Sequence, residues 1–382
     1  MPLLTEEQRI LVETVRRMAE QEIAPRASEL DESQAMPYEI HVLFGKYGLL
    51  KLRIPESFGG IPVDMATCCL VVEEIARVDG SSSLMLVNHL AGLGPFLMGS
   101  SEDQKARFLP RIVERGDIIG FALTEPGAGS DAASIRTLAV RKGDRYQLNG
   151  TKCFITNGGL ARMYTLFATV DARRKKQGIT AFVVEDTAAG LRVGKKENKM
   201  GMRASPTTEL ILEDAEVAAD NLLGAEGQGW PIMLAGLSET RLLVAAISLG
   251  LADGATRFAA RYATQRSQFG KAVAEFQGVQ FMLADMAIGI ETARALIYRT
   301  ASMLDNGETG VRPCASMAKC YASDMAMRVT TDAVQILGGY GYMKEYPVER
   351  MMRDAKAIQI FEGTNQIQRM IIAKDLLARV SS

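Results

Sequence analysis

The segment RKGDRYQLNGTKCFITNGG, residues 141–159, decides the fold class, because it interrupts a chain that is otherwise strongly helical. Its short runs are separated by Gly-Asp and Asn-Gly pairs, which is typical of β-hairpins. GITAFVVED, residues 178–186, and TELILEDAEV, residues 208–217, follow with the Val, Ile and Thr content of strands. Residues 121–225 are therefore predicted to form a compact β-barrel or β-sandwich domain.

Helical patterns lie on both sides of this β segment. In residues 1–120, Thr5 to Gln8 form a predicted capping box, and DMATCCLVVEEIARV, residues 64–78, begins with an Asp cap. Residues 226–382 contain three long stretches rich in Ala, Met and Leu, which predict an antiparallel helical bundle. The order helix, strand, helix predicts an α+β chain of three domains.

Composition and charge are those of an ordinary soluble protein. The chain has 382 residues, of which 47% are hydrophobic and 23% charged, and its formal net charge is −1. Bulk charge therefore gives no sign of nucleic acid or an anionic membrane as partner. No apolar run reaches the length of a membrane span. The N-terminal sequence MPLLTEEQRI has acids where a targeting peptide has bases, so we expect a cytoplasmic protein.

Residues that commonly carry catalysis are sparse. The five cysteines match no disulfide or zinc spacing, and His41 and His89 are the only histidines. Buried thiols are the default interpretation of such cysteines, and no metal site is predicted. No G-x-S-x-G sequence supplies a serine nucleophile. Demanding chemistry is therefore expected to come from an organic cofactor.

The segment EPGAGSDA, residues 125–132, contains the spacing G-x-G-x-x-A of a dinucleotide-binding loop. That fingerprint requires a helix after the glycines, whereas the sequence that follows alternates like a strand, so a Rossmann fold is rejected. Two interpretations stay open. The glycines make a plain turn between strands, or Gly127 and Gly129 let the backbone approach a flavin. In the second case Thr124 and Ser130 supply hydroxyls.

Two further segments carry both an ordinary and a functional interpretation. Arg266, which begins RSQFGK, stands at the end of a long helix, and it also suits binding of a pyrophosphate beside an aromatic ring. In QILGGYGY, residues 335–342, one glycine suffices to cap a helix. The additional glycines indicate close approach of another backbone or of a ligand.

The motif IFEGTNQIQR holds a single acid, Glu362, before the last predicted helix. Asn365 with Gln368 resembles a capping box for that helix. Glu362 is then either a pre-helix acid near the helix dipole or a general base. Ile360 and Phe361 are expected to desolvate the carboxylate, which raises a carboxyl pKa toward the value that a base needs.

Six motifs in order resemble the acyl-CoA dehydrogenase family over essentially the whole chain, closest to its short- and medium-chain members. They are FALTEPGAGSD, CFITNGG, RSQFGK, QILGGYGY, EYPVERMMRDAK and IFEGTNQIQR. No single motif is decisive, but the combination is specific. The resemblance implies an all-helical N-terminal domain, a middle β domain and a C-terminal four-helix bundle. It also implies FAD as cofactor and a homotetramer built as a dimer of dimers.

The resemblance implies an activity as well. In the family, the acid of the EGT motif, here Glu362, removes the α-proton of an acyl-CoA thioester, flavin N5 accepts the β-hydride, and a trans-2-enoyl-CoA results. A flavin ribityl hydroxyl and the Glu362 N–H stabilise the enolate oxygen. An electron-transferring flavoprotein is the implied acceptor. Some members carry the base at the position of Thr240, which cannot act as one, and neighbouring Glu239 is expected to point away on its helix.

Family contacts carry over to individual positions of this chain. The implied flavin contacts are Phe121, Leu123, Thr124, Ser130, Phe154, Ile155, Thr156, Arg266, Phe269, Gln277, Gln335, Leu337, Gly338, Gly339, Thr364 and Gln366. The implied substrate contacts are Ser130, Ser205, Ser238, Arg241 and Gly363. The stretch from Gln335 to Gly339 is expected to reach the flavin of a neighbouring subunit.

Some positions depart from the family pattern. Phe154 stands where the family usually has Trp and lacks the indole donor, which leaves reactivity toward the acceptor and toward oxygen open. Ser238 stands where Asp is common. Ser82 and Ser83 lie in the stretch where glutaryl-CoA dehydrogenases carry an Arg, which argues against a dicarboxylate because its buried charge would be unpaired.

A short, branched or cyclic acyl group is the substrate that we expect. One alternative is an acyl-CoA oxidase that uses oxygen, although the chain is too short for the additional C-terminal domain of the longer oxidases. The other is a non-catalytic scaffold that binds flavin or CoA. Such a scaffold is expected to have lost the base, and Glu362 is present.

Overall fold

The computed structural model describes residues 4–381, and every structural statement below refers to that part of the chain. Helices come first, a sheet second and helices last, so the expected α+β class is confirmed. The first α-helices are α1 Glu6–Met18, α2 Ala27–Ser33, α3 Tyr38–Lys46, α4 Met65–Ala76, α5 Gly80–Gly99 and α6 Glu102–Arg115. The capping box of α1 is confirmed, because the Thr5 and Gln8 side chains each accept from the backbone N–H of the other residue.

The middle part is a single eight-stranded sheet. Its strands are β1 Ile119–Ala122, β2 Leu138–Lys142, β3 Arg145–Thr156, β4 Met163–Thr169, β5 Ile179–Glu185, β6 Leu191–Lys196, β7 Thr207–Ala218 and β8 Leu222–Leu223. The strand order is β6-β7-β3-β2-β4-β5-β8, with β1 parallel to β4. The predicted hairpin is confirmed, since β2 and β3 are antiparallel and Gly143 turns between them at φ +64°.

Helix α5 packs closely on this sheet. A Cβ at Gly92 of α5 would lie 2.6 Å from the carbonyl oxygen of Gly120 in β1, and only glycine permits such an approach. Thr165 of β4 donates a hydrogen bond to the Gly92 carbonyl at 2.8 Å. These contacts fix the sheet against α5.

The C-terminal part is helical again. Its elements are α7 Gly229–Gln265, β9 Ser267–Gln268, β10 Lys271–Ala272, α8 Gln277–Asp305, α9 Val311–Leu337, α10 Pro347–Ile358 and α11 Asn365–Val380. Helix α7 lies at the centre, where it packs on α9 and also contacts α4, α5, α8 and α10. Among residues 4–381, α7 is the one helix long and apolar enough to cross a membrane, and 67% of its most apolar window is buried inside the protein.

A buried ionic cluster joins α4 to the C-terminal bundle. The Glu73 carboxylate accepts from Arg294 at 2.8 Å and from the Tyr298 hydroxyl at 2.6 Å. Arg77 Nε lies 2.6 Å from Asp253 Oδ2 on α7. Removing one member of a buried ion pair typically destabilises a protein by about 3–5 kcal/mol. The cluster therefore ties α4 to α7 and α8.

Candidate active site

The loop between α10 and α11 carries Glu362 in an unusual backbone conformation. Glu362 has φ +55° and Gly363 has φ +86°, so two consecutive residues are left-handed. A left-handed residue other than glycine costs roughly 1–3 kcal/mol and persists where the surrounding structure over-determines it. Contacts from the rest of the protein must therefore hold Glu362 and Gly363 in this conformation.

Side chains from two helices hold the loop backbone. Gln368 Nε2 of α11 donates to the carbonyl oxygens of Glu362 at 3.0 Å and of Gly363 at 2.9 Å. Lys319 Nζ of α9 donates to the same Gly363 oxygen at 2.8 Å. The Gly363 carbonyl is thus anchored by both helices, which fixes the backbone beside the acid.

The capping box predicted for α11 is wrong. The cap is Thr364, whose hydroxyl oxygen accepts from the Ile367 N–H at 3.3 Å. Asn365 is already the first helical residue and is buried, and its amide donates to Ser323 Oγ at 2.9 Å and Asp324 Oδ1 at 2.7 Å. The Asn365 side chain is bonded to α9 and does not cap α11. Gln368 donates to the loop carbonyls and not to the N-cap backbone.

The Glu362 carboxylate is surrounded by one hydroxyl and two cations. Burial raises the pKa of Glu362 above its ordinary value, while the Thr240 hydroxyl, Arg241 and Lys319 act in the lowering direction. Thr240 Oγ1 donates to Glu362 Oε2 at 2.9 Å. A carboxyl with a raised pKa is a better proton acceptor than an exposed one, which suits a general base.

The apolar neighbours of the acid differ in their contribution. Phe361 is partly buried and packs against the core, as expected. Ile360 is 58% exposed. The expectation that it desolvates the carboxylate is therefore wrong within a single chain. Of the two neighbours only Phe361 packs against the core, and the side chains that act on the Glu362 carboxylate come from α7 and α9.

Arg241 is a buried cation with unused donors. It is 4% exposed, and its Nε and Nη1 have no hydrogen-bond partner within the described chain. Burial lowers its pKa to about 10, and Glu362 opposes that shift. Unpaired donors in a buried place carry a desolvation penalty of about 1–3 kcal/mol, which a bound carbonyl or anionic group would relieve. Arg241 therefore has two buried donors that are free to bond an acceptor placed next to them.

Predicted flavin contacts of the middle part lie on two adjoining segments. The Cys153 N–H donates to the Thr124 carbonyl at 2.9 Å, which places the end of β3 beside the residues after β1. Phe154 is 64% exposed with φ +58°, and a bulky residue in that region is strained. The structure thus brings together Phe121, Leu123, Thr124, Phe154, Ile155 and Thr156.

The glycine-rich turn in front of these strands is open. A Cβ built at Gly127 or Gly129 meets no atom within 4 Å, and Ser130 is exposed. Packing within the chain therefore does not demand glycine at either position. That openness favours the interpretation in which the backbone approaches a ligand.

A buried ion pair lies behind the same turn. Lys152 is fully buried and donates to Glu125 Oε1 at 2.7 Å and to the Leu123 carbonyl at 2.9 Å. Glu125 in turn accepts from the N–H groups of Arg136 at 2.6 Å and Thr137 at 2.9 Å. Burial lowers the pKa of Lys152 to about 8, and Glu125 opposes this. The pair fixes both ends of the turn.

Four of the predicted flavin contacts of the C-terminal part line a groove at a second place. Arg266 lines a groove of about 440 Å³ with Leu337, Gly338 and Gly339, and its guanidinium lies 5.7 Å from the Tyr340 ring centre. Phe269, Gln277 and Gln335 are exposed and do not line this groove. Thr364 and Gln366 lie at the start of α11. Within residues 4–381, no hydrogen bond, ion pair or ring contact joins this groove to the strand segments.

The remaining predicted residues are spread over the chain. Ser205 is fully buried with an unpartnered Oγ, and its carbonyl accepts from Lys199. Ser238 is partly buried on α7 and donates to the Leu234 carbonyl at 3.4 Å. Gln366 is exposed on α11. Arg241 and Gly363 are the predicted substrate contacts that the structure places beside Glu362.

Sequence reasoning missed Lys319 and Gln368 as holders of the loop, and the Lys152–Glu125 pair. The sequence signal for Lys319 was a single Lys within the largely apolar run SMAKCYASDM. A helix with a solvated face carries more charged residues than this run does. Such a residue is seldom buried without a reason.

Three models of one family match consecutive parts of the chain. They are the N-terminal, middle and C-terminal domains of acyl-CoA dehydrogenase, at residues 5–116, 120–215 and 227–377. The cyclohex-1-ene-1-carbonyl-CoA dehydrogenase of Geobacter metallireducens is 48% identical over 375 residues, which covers 98% of this chain and 99% of that protein.

Solved structures agree over the full length. Butyryl-CoA dehydrogenase from Megasphaera elsdenii has a TM-score of 0.95 at 42% identity, covering 98% of this chain and 99% of that one. A glutaryl-CoA dehydrogenase from Mycobacterium smegmatis in complex with FADH2 has a TM-score of 0.92 at 28% identity, covering 98% and 95%. The chain therefore belongs to the acyl-CoA dehydrogenase family.

Proposed function

We propose that this acyl-CoA dehydrogenase converts an acyl-CoA thioester to its trans-2-enoyl-CoA with Glu362 as the general base. The observation that carries the proposal is the Glu362 carboxylate itself, held on a left-handed loop with a pKa raised by burial. A thioester α-proton is a weak acid, so its removal needs a positioned base and donors for the enolate oxygen. The Glu362 N–H is the backbone donor that we propose for that oxygen.

The residues of the middle part fit FAD as the cofactor. The open turn at Gly127 and Gly129, the exposed Ser130 hydroxyl and the exposed Phe154 ring offer hydrogen bonds and an aromatic face. When bound, FAD supplies the acceptor for the β-hydride. The protein positions the thioester, removes its α-proton at Glu362 and excludes water with Phe361. The bound FADH2 of the glutaryl-CoA dehydrogenase structure supports this assignment.

We propose a homotetramer, arranged as a dimer of dimers, in which the groove at Arg266 serves a neighbouring subunit. The residues of the groove have the chemistry for a pyrophosphate and an adenine but are unconnected to the strand segments of the same chain. We assign this groove, with Gln335 to Gly339, to the flavin bound by a neighbouring subunit. Size-exclusion chromatography of the FAD-loaded protein tests the assembly.

For the electron acceptor we propose an electron-transferring flavoprotein. Oxygen is the alternative, which would make the enzyme an acyl-CoA oxidase, and the exposed Phe154 is the feature that favours testing it. A comparison of turnover with air and with the flavoprotein distinguishes the two. Flavin reduction by acyl-CoA esters tests the scaffold alternative, because a non-catalytic scaffold would bleach with none of them.

The substrate that we propose has a short, branched or cyclic acyl group. Ser82 donates to Asp79 at 2.7 Å and Ser83 to the Val72 carbonyl at 3.0 Å, so neither hydroxyl proton is available to a terminal carboxylate. The cyclic acyl group in the name of the Geobacter relative supports the cyclic option. A dicarboxylate such as glutaryl-CoA is therefore expected to be a poor substrate.

The test is anaerobic flavin reduction across straight, branched, cyclic and aromatic acyl-CoA esters. The enzyme is expected to bleach with at least one class, and Glu362→Gln to retain FAD while bleaching with none. A Glu362→Gln variant that reduces its flavin at the wild-type rate would show that another group is the base.

A further inference from the structure

Lys319 is a buried cation without a buried anion bonded to it. It lies on α9 with 0% exposure, and its Nζ donates to the Gly363 carbonyl at 2.8 Å and to Asn365 Oδ1 at 2.9 Å. Both acceptors are neutral. Within residues 4–381, no carboxylate oxygen comes within the 4.0 Å of an ion pair. This distinguishes it from Lys152, which is also fully buried but has Glu125 as its counter-ion.

Burying the Lys319 charge costs free energy, and the charge acts mainly on Glu362. Desolvation lowers the pKa of Lys319 to about 8, and Glu362 is the strongest influence in the opposite direction, followed by Cys320. Asp324, the next acid, is already bonded to Arg369 at 2.6 Å and to Gln359 at 2.7 Å. Glu362 is therefore the acid whose ionisation the Lys319 charge mainly affects.

We infer that Lys319 is a positioning residue for the Glu362 base, which fixes the Gly363 carbonyl and keeps the Glu362 carboxylate ionised. The inference rests on the proposed function, because it assigns a role relative to that base. Met or Leu at this position would avoid the desolvation cost and fill the same space. An apolar side chain such as Met, which has no donor, would leave the strained loop with Gln368 as the one side-chain donor to the Glu362 and Gly363 carbonyls.

The groups that face Glu362 come from two packed helices. Thr240 and Arg241 approach from α7, and Lys319 approaches from α9. Arg312, also on α9, acts on Arg241, whose pKa it lowers. Loss of Lys319 therefore removes one of two cations beside the base, and Arg241 remains as the other.

Three substitutions separate geometry from charge. Lys319→Met removes both the donor and the charge, Lys319→Gln keeps a neutral donor, and Lys319→Arg keeps the charge. Thr330→Ala is the control, since Thr330 is a fully buried polar residue of α9 that bonds only within its own helix. Each variant is loaded with FAD, and the melting temperature and flavin content are measured before the kinetics.

The readout is the rate of flavin reduction as a function of pH. Lys319→Met is expected to lose about 100-fold, as displacement of a catalytic group by about 1 Å does. Lys319→Gln is expected to regain activity at high pH, with the acidic limb of kcat/KM moved to higher pH. Lys319→Arg and Thr330→Ala are expected to keep the wild-type limb.

Infrared titration gives a second readout that does not depend on turnover. The protonated carboxyl band of Glu362, identified by its loss in Glu362→Gln, is expected to persist to higher pH in Lys319→Gln. An unchanged acidic limb and an unchanged band in both Lys319→Gln and Lys319→Met would overturn the inference. That result is distinct from failure of the proposed function, in which Glu362→Gln itself stays active.

Discussion

The Thr240 hydroxyl donates a hydrogen bond to the Glu362 carboxylate at 2.9 Å across 122 positions of sequence. Thr240 lies on α7 and Glu362 on the loop before α11, so the contact forms only when the C-terminal bundle closes. The bond stabilises the ionised carboxylate and is the first influence that opposes the effect of burial on its pKa. Thr240 therefore contributes to the proton affinity of the proposed base without accepting the proton.

Thr240→Val is expected to raise the pKa of Glu362, because it removes a donor to the charged form. A hydrogen bond to a charged group is worth about 1.5–3 kcal/mol, so flavin reduction is expected to fall at least about tenfold near neutral pH. The loss should shrink as the pH rises and the acid ionises. Thr240→Ser keeps the hydroxyl and should follow the wild-type pH profile. If Thr240→Val and Thr240→Ser lost the same fraction of the flavin reduction rate at every pH, Thr240 would act through packing alone.

Local chemistry determined which parts of this fold were predictable. The hairpin between β2 and β3 follows from Gly143 and Asp144, because the turn is made by residues adjacent in sequence. Thr5 and Gln8 were equally readable as a capping box. The cap of α11 was misassigned because Asn365 is claimed by Ser323 on α9, a tertiary contact that no local pattern contains.

The candidate site shows the same division. Glu362 was recognisable from its motif, but its link to Thr240 and Lys319 depends on three packed segments. At Gly341 the expectation that the additional glycines of QILGGYGY mark close approach of another backbone or of a ligand is confirmed. A Cβ at Gly341 would lie 2.3 Å from the Val334 carbonyl oxygen of the preceding helix. A local close approach thus explains that glycine without a ligand.

The Lys152–Glu125 pair provides a prediction about cofactor retention. Lys152→Met leaves the Glu125 carboxylate buried without its cation, which is expected to cost about 3–5 kcal/mol and to loosen the turn that carries Thr124. The melting temperature and the flavin content should fall together. Adding Glu125→Gln removes the stranded charge and should restore much of the melting temperature, because replacing both members of a buried pair is often near neutral. If Lys152→Met alone retained the wild-type FAD content, the Lys152–Glu125 pair would not be needed to hold the turn.

Asp354 provides a prediction about stability and pH. It is 1% exposed on α10, where Oδ1 accepts from the Met202 N–H at 2.5 Å and Oδ2 has no partner. Burial, and then Asp79, raise the pKa of Asp354 to about 7, while the Met202 N–H and Arg350 act in the lowering direction. Because the folded state favours the protonated form, this contribution to stability is largest at low pH and is lost as the pH rises through about 7.

Asp354→Asn keeps an acceptor for Met202 and cannot ionise. Relative to this variant, the wild type is expected to lose about 1 kcal/mol of unfolding free energy between about pH 6 and about pH 8. Thermal or urea unfolding at both pH values measures the difference. Asp144→Asn, at a side chain that is 92% exposed, serves as the control and should leave the pH dependence unchanged. Parallel curves for wild type and Asp354→Asn would show that Asp354 is ionised throughout.

Gly363→Ala tests whether the loop geometry itself is needed for catalysis. A Cβ at Gly363, where φ is +86°, would lie 2.7 Å from Gln368 Nε2. That amide can move, but moving it breaks its bonds to the Glu362 and Gly363 carbonyls. Gly307, with φ +67° and no atom within 4 Å of a built Cβ, offers a matched control. Each substitution is expected to cost about 1–2 kcal/mol for the left-handed backbone alone.

Activity should separate the two glycine variants. Gly307→Ala lies in the connection between α8 and α9 and should lower only the melting temperature, because it leaves the Glu362 loop intact. Gly363→Ala should in addition slow flavin reduction about 100-fold, the usual consequence of displacing a catalytic group by about 1 Å. Both are compared at equal flavin content and well below their melting temperatures. If Gly363→Ala reduced its flavin as fast as Gly307→Ala, the left-handed loop would be a feature of folding, and the base would tolerate a different backbone.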